Sequence, residues 1–408
     1  MIAECPPENN GSLLVFSDDW GRHPSSCQHL VRNLLDRYPV LWVNTIGTRA
    51  PRLDLQTLRR VTEKVRQWGS AKLGQRTSVK ANDATTPTAQ THANLQVVNP
   101  KMWPWFGSQR DRQLNRWLLS KQLNPLIEQL PQPVVAVTTL PITADLAGVL
   151  PVDRWVYYCV DDFSQWPGLD GDTLRRMDRD MIHRADSLVA VSENLQAMIS
   201  NDGRSSSLLT HGVDVDFWQT SHTGTASGET KLDFPGPKVV FWGVIDRRMD
   251  SPSLRQLSKD LSGGSIVLIG PQQDPDPAVL SLPNVHTLPA QPLTALPSIA
   301  EQADVLIMPY ADLPVTRAMQ PLKLKEYLAT GKPVVVNRLP STDAWNDCLD
   351  VASTPEDFSR LVCERLSTGV TPSQTSARLR LQQESWNSKA ASFEQVLRNT
   401  ELAMNGAK

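Results

Sequence analysis

Short apolar, β-branched runs recur along this chain with room for one helix between each pair, and nothing else in the sequence constrains the fold as much. In the first half they are Leu13–Phe16, Val40–Asn44, Leu95–Val98, VVAVTTL from Val134, Trp155–Val160 and SLVAVS from Ser187. In the second half they are KVVFWGV from Lys238, SIVLIG from Ser265, NVHTL from Asn284, ADVLIMPY from Ala303 and PVVVN from Pro333. Strands this short, without polar alternation, are expected to be buried on both faces, which means parallel sheets flanked by helices. Residues 219–237, QTSHTGTASGETKLDFPGP, interrupt the pattern with a polar Gly/Ser/Thr/Pro stretch and predict a linker. The expected fold is α/β, with two Rossmann-like doubly wound domains facing one cleft. The first spans 1–218 with a polar excursion at about 50–94, and the second spans 238–375 with five strands. A helical tail, 376–408, follows, too sparse in apolar residues to stand alone.

With 408 residues and 40% hydrophobic content, the chain can bury two cores of this kind. Its 41 basic and 43 acidic residues leave a net charge of -2, which argues against nucleic-acid binding. Five scattered cysteines form no C-x-x-C or Cys/His cluster, so neither a disulfide framework nor a structural zinc is expected. The opening MIAECPPENNGS lacks a basic and an apolar region, and no run is long enough to span a bilayer, so a cytoplasmic location is expected.

The sequence contains no G-x-G-x-x-G after the first strand, no Walker A string, no H-E-x-x-H and no G-x-S-x-G. D-x-D pairs occur at Asp178/Asp180, Asp214/Asp216 and Asp274/Asp276, but chance copies are common, and the expectation is no metal and no cofactor. The densest chemistry lies in RAMQPLKLKEYLATGKPVVV, Arg317 to Val336. A loop ending at Pro321 leads into a helix whose first amides could hold a phosphate, beside Leu322. Lys323 would add a point charge there, and Glu326, three residues on, could accept hydrogen bonds from a ribose diol. FWGVIDRRMD, Phe241–Asp250, is a strand ending in Gly243, where a phosphate could approach the backbone, followed by Arg248, with Arg247 as the alternative, as a guanidinium fork.

The 317–336 segment resembles the donor-binding helix of GT-B-fold glycosyltransferases of family 4 and its relatives. The P-L-K-L-x-E-Y-L-A-T-G-K-P-V-V form is similar to the branch containing teichuronic acid biosynthesis proteins. That family carries two glutamates with seven residues between them; here the second is Glu326, and Ala318 stands at the first. The resemblance extends to Gly243 and Arg248 on the donor diphosphate, to Leu288–Gln291 around the base, and to Thr210–Asp214 as the interdomain hinge. It implies a nucleotide-diphosphate sugar as donor substrate and a glycan or lipid-linked glycan as acceptor in cell-envelope or exopolysaccharide synthesis. It further implies transfer with retention and without metal, the leaving phosphate taking the acceptor proton. Arg248 and Lys323 would then stabilise the leaving charge, since an electrostatic contact of this kind is worth about 2.7–4 kcal/mol.

On the acceptor side, Asp161 and Asp162 follow the strand Trp155–Val160 and could orient the acceptor or act as base, with Asp162 equally suited to capping its own loop. Asp18, Asp19, Gly21 and His23 occupy the matching place after the first strand, and Trp166 could stack on carbohydrate. Trp103, Trp105 and Phe106 cluster beside Lys101, Arg110, Arg112 and Arg116, a pattern suited either to a membrane surface or to a lid on the domain core. Two alternatives to transfer are an epimerase acting on nucleotide sugars and a non-catalytic nucleotide-sugar-binding protein.

Overall fold

The computed structural model describes residues 11–21, 25–44, 92–166, 168–219 and 230–398. Seven parallel strands form the first sheet: β1 (Ser12–Phe16), β2 (Val40–Val43), β3 (Leu95–Val98), β4 (Val134–Thr138), β5 (Arg154–Cys159), β6 (Ser187–Ala190) and β7 (Ser207–Leu208). Their order is β3-β2-β1-β4-β5-β6-β7, with Leu14 of β1 in register with Leu41 of β2 on one side and Ala136 of β4 on the other.

The linker is followed by β8 (Lys238–Trp242), β9 (Ile245–Asp246), β10 (Ser265–Ile269), β11 (Gln272–Gln273), β12 (Val285–Leu288), β13 (Val305–Met308), β14 (Val334–Asn337) and β15 (Asp350–Ala352). Six of these make the second sheet, in the order β12-β10-β8-β13-β14-β15, while β9 and β11 form a small parallel pair beyond its edge. Both sheets reverse direction of growth at one point, between β1 and β4 and between β8 and β13. In such sheets ligands bind outside the carboxyl ends of the strands at that reversal.

The expected double α/β architecture is therefore present, with differences at its margins. β15 is a sixth strand in the second domain, and β7 a seventh in the first. β15 contains only three residues, DVA, and takes its strand form by pairing with β14. The described part of the linker is docked, because Leu232 is buried in the second core and its N–H donates to Gln302 Oε1 at 2.8 Å. The tail begins against the second domain, where Leu381 is buried in that core and Arg380 pairs with Asp347, and then leaves it. Its helix Trp386–Arg398 crosses back and inserts Trp386, Ala390, Phe393 and Leu397 into the first core. Tyr38 Oη donates to Glu394 Oε1 at 3.0 Å, and Arg154 Nη1 donates to the Leu397 carbonyl at 3.2 Å, fixing that crossing.

The chain crosses between domains through Thr210–Asp214. Gly212 is required there, since a Cβ would lie 2.7 Å from the Trp386 ring. Lys325, almost fully buried, donates to the His211 carbonyl and pairs with Glu384 at 2.5 Å, so the helix that carries Lys325, the crossing segment and the tail share one ionic knot.

Candidate active site

Cationic side chains converge at the carboxyl ends of β8 and β13. β8 is followed by Gly243, whose φ of +143° suits glycine, and a Cβ there would sit 2.5 Å from Lys323 Nζ. Gly270, directly after β10, is pressed against it, with its missing Cβ 1.9 Å from the Gly243 carbonyl oxygen. Lys323 thus lies directly over Gly243. Its ammonium is 2.5 Å from Tyr310 Oη, and no carboxylate among the described residues pairs with it.

The helix Leu322–Ala329 starts after Pro321, which precedes the first turn instead of lying in it and gives no side-chain cap. Amides of an uncapped first turn are free to meet an anion, and the helix dipole adds to the attraction. One turn on, Glu326 lines a cavity of about 420 Å³ with His29, Arg32, Asp214, Trp218 and Leu293. Burial pushes its carboxyl up to about 7, with the Trp242 indole and the Lys323 ammonium pulling the other way.

Arg248 is buried, paired with Asp246 at 2.8 Å, and sits between two rings. Its Cζ is 4.8 Å from the centroid of Trp166, which comes from the first domain, and 5.8 Å from that of Tyr310. Arg247, by contrast, is exposed and pairs with Asp274. The position taken by Ala318, where the resembling family has its first glutamate, is held against the first domain through backbone. Ser192 Oγ donates to the Ala318 carbonyl at 3.4 Å, and Asn194 Nδ2 to the Arg317 carbonyl at 2.6 Å.

Across the cleft, the adjacent aspartates after β5 take different roles. Asp162 caps its own turn, accepting from Ser164 N at 3.0 Å and Ser164 Oγ at 2.6 Å. Asp161 Oδ1 is buried with no hydrogen-bond partner among the described residues, and burial pushes this carboxyl up to about 6, with Trp166 and Arg248 partly offsetting it. Asp18 is engaged by Ser17 at 2.9 Å, Ser25 at 2.7 Å and Gln28, and so braces the loop that carries Asp19 and Gly21. Gly21 N donates to Gln28 Oε1 at 3.0 Å. His23 lies outside the described residues.

Among the D-x-D pairs, Asp178 accepts from Tyr157 Oη, Asp180 pairs with Arg112, Asp214 and Asp276 cap helices, and Asp274 pairs with Arg247. No group of three or more potential metal-ligating side chains occurs among the described residues. Of the two readings of the aromatic loop, membrane surface or lid on the core, Phe106 takes the second. Phe106 is only 4% exposed and belongs to the first core, so it cannot reach a membrane. Trp103 donates its indole N–H to Asp111 at 2.9 Å and packs on Trp105 at 4.7 Å, which makes this loop a cover for the domain.

Two groups at this site had not been singled out. Tyr310 follows β13 in IMPY, and a polar aromatic directly after a buried strand was the available signal. The pair His29 and Arg32 lies on the helix Ser26–Arg32, where helical periodicity places them on the cleft side; burial lowers the His29 imidazole to about 4 while it stacks on Trp386 at 4.5 Å.

This arrangement, two parallel α/β domains meeting over a cationic cleft, is the GT-B fold of glycosyltransferases. A UDP-glucose complex of Anabaena Alr3699/HepE superposes with a TM-score of 0.63 over 95% of this chain and 99% of that one, at 11% identity. Sucrose-phosphate synthase from Thermosynechococcus elongatus gives 0.66 over 95% and 98%, at 12% identity. Trehalose 6-phosphate synthase from Burkholderia multivorans gives 0.61 over 96% and 99%, at 14% identity. In sequence, the chain is a homologue of "Putative teichuronic acid biosynthesis glycosyltransferase TuaH" from Bacillus subtilis (strain 168), 32% identical over 170 residues. That match spans 40% of this chain and 43% of the relative. No protein-family model matches the chain.

Proposed function

We propose that this chain is a glycosyltransferase that moves a sugar from a nucleotide-diphosphate donor to an acceptor hydroxyl in cell-envelope or exopolysaccharide synthesis. The observation that carries the reading is the convergence of Lys323, Arg248 and an uncapped helix start on one point, faced across the cleft by Asp161 and Trp166. An ammonium without a carboxylate partner among the described residues, set over a glycine at a strand end, is suited to a diphosphate. Glu326, lining the adjoining cavity, suits the ribose, and the similarity to the UDP-glucose-binding HepE fold and to TuaH supports the same substrate class.

In this reading the diphosphate leaves onto Lys323, Arg248 and the first-turn amides of Leu322–Ala329, without metal. Charge developing at the leaving oxygen is stabilised by groups already in place, so the reaction needs little reorganisation. Same-face attack follows, with the departing phosphate taking the acceptor proton and configuration retained. Asp161, half-buried and unpaired at Oδ1, orients the acceptor hydroxyl, while Asp162 remains a loop cap.

A peripheral membrane contact that presents a lipid-linked acceptor fits a different surface from the aromatic loop. On the helix Gln109–Ile127, Arg110, Leu114, Trp117 and Lys121 share one exposed face, with Trp117 57% and Leu114 40% exposed. No helix among the described residues is long and apolar enough to cross a membrane.

The test is nucleotide release from a panel of nucleotide sugars, with and without an extract of envelope glycans. Acceptor-dependent release with a glycosylated product is the expected result. An epimerised sugar, or binding without turnover, would overturn it.

A further inference from the structure

Tyr310 sits where the donor diphosphate is proposed to lie, yet no role is assigned to it by the motif. It closes the segment β13-Pro309-Tyr310, its ring 1% exposed and set edge-on to Phe241 at 6.0 Å. Arg248 Cζ lies 5.8 Å from the ring centroid, while Lys323 Nζ lies at the hydroxyl end of the ring, 5.0 Å from the centroid. The hydroxyl, 2.5 Å from Lys323 Nζ, must act as acceptor in that bond, because an ammonium can only donate. The phenolic proton is therefore left for a further acceptor.

The physical consequence is specific. Two like charges brought to one site repel, and a single side chain that gives its oxygen to the ammonium and its ring to the guanidinium offsets part of that repulsion. A phenylalanine would supply the same ring without the cost of burying a hydroxyl, so the oxygen is unexplained by packing alone. Its partner, Lys323, has no carboxylate partner among the described residues.

Resting on the donor-site reading above, we propose that Tyr310 is a positioning residue that confers specificity for the diphosphate: its ring meets the Arg248 guanidinium and its oxygen fixes the Lys323 ammonium, so one buried side chain sets both cations. The ligand class it selects is a nucleoside diphosphate over a monophosphate, because the second phosphate needs both cations held apart.

The experiment is calorimetric titration of UDP and UMP, with GDP and GMP as a second pair, into the unaltered chain, Tyr310→Phe and Tyr310→Leu. Losing a hydrogen bond to a charged group predicts about 10-fold weaker diphosphate binding for Tyr310→Phe. Losing the ring as well predicts about 100-fold for Tyr310→Leu. Monophosphate binding should change by less than about 3-fold in both, which a merely structural role would not allow. Unchanged diphosphate binding in both variants, or equal loss for mono- and diphosphate, overturns the inference while leaving the donor site standing. Failure of the unaltered chain to bind any nucleoside diphosphate overturns the donor-site reading and this inference together.

Discussion

Replacing Glu326 by glutamine separates what the carboxylate contributes to binding from what it costs the fold. Its ordinary value is 4.5, and burial against the cavity wall raises it to about 7. A carboxyl raised on folding binds more protons in the native state than in the unfolded one across that interval, so stability falls as pH rises from about 4.5 to about 7. Above pH 7 the accumulated penalty is about 3 kcal/mol, an upper figure because Glu326 faces an open cavity that water can screen. Glutamine has the same shape and no charge. Glu326→Gln should therefore raise the unfolding free energy by about 2–3 kcal/mol at pH 8 and by less than about 1 kcal/mol at pH 5. Urea unfolding of both forms at the two pH values gives the numbers. The same variant should bind UDP about 10-fold more weakly at pH 8, because an amide is a poorer acceptor for a ribose diol than a carboxylate. Equal stability gains at pH 5 and pH 8 would refute the linkage, and unchanged UDP affinity would remove Glu326 from the donor site.

Other consequences can be checked in the same way. Gly243→Ala adds a Cβ 2.5 Å from Lys323 Nζ on a backbone with φ of +143°, so UDP affinity should drop about 10-fold and stability by about 1–3 kcal/mol in calorimetry. Asp161→Asn should lower turnover about 100-fold and remove the acid limb near pH 6 from the kcat/KM profile, since the ionised carboxylate is the active form. At the hinge, Glu384→Gln leaves Lys325 as an unpaired buried cation and should cost about 3 kcal/mol, whereas Lys325→Met should cost clearly less because Glu384 keeps Lys389 at 2.8 Å. Trp117→Ala with Leu114→Ser should reduce co-sedimentation with anionic vesicles several-fold, and unchanged binding would dismiss that helix face.

Most strands were legible because each is a short apolar run that both sheet faces bury, a local property of the sequence; the edge strands β3 and β12 depart from the expected burial, since each has a neighbour on one side only and stays partly exposed. β15 was not legible, since DVA becomes a strand only through its β14 neighbour. The destination of the tail was equally hidden: Trp386, Phe393 and Leu397 read as sparse on their own helix, and their partners are more than 300 residues earlier, around Tyr38. In the candidate site, Lys323, Arg248, Gly243 and Glu326 could be named from spacing and from a motif that encodes a loop-helix-strand unit. Asp161 and Asp162 could not be told apart, because the difference lies in Ser164, whose N–H and hydroxyl both reach Asp162. Tyr310 was missed for a similar reason. Its contact with Lys323 joins the end of a strand to a helix 13 residues away. For the aromatic loop the sequence gives amphipathic character without depth, and only packing distinguishes Phe106 in the core from Trp117 in solvent.

The central claim is that a diphosphate is held between Lys323 and Arg248. The most direct measurement is UDP binding by calorimetry to the unaltered chain, Lys323→Ala and Arg248→Ala. The account predicts saturable binding that weakens by about 10²-fold or more in each variant, in keeping with the loss of a charge-assisted contact. Binding that survives both substitutions at full strength would contradict it.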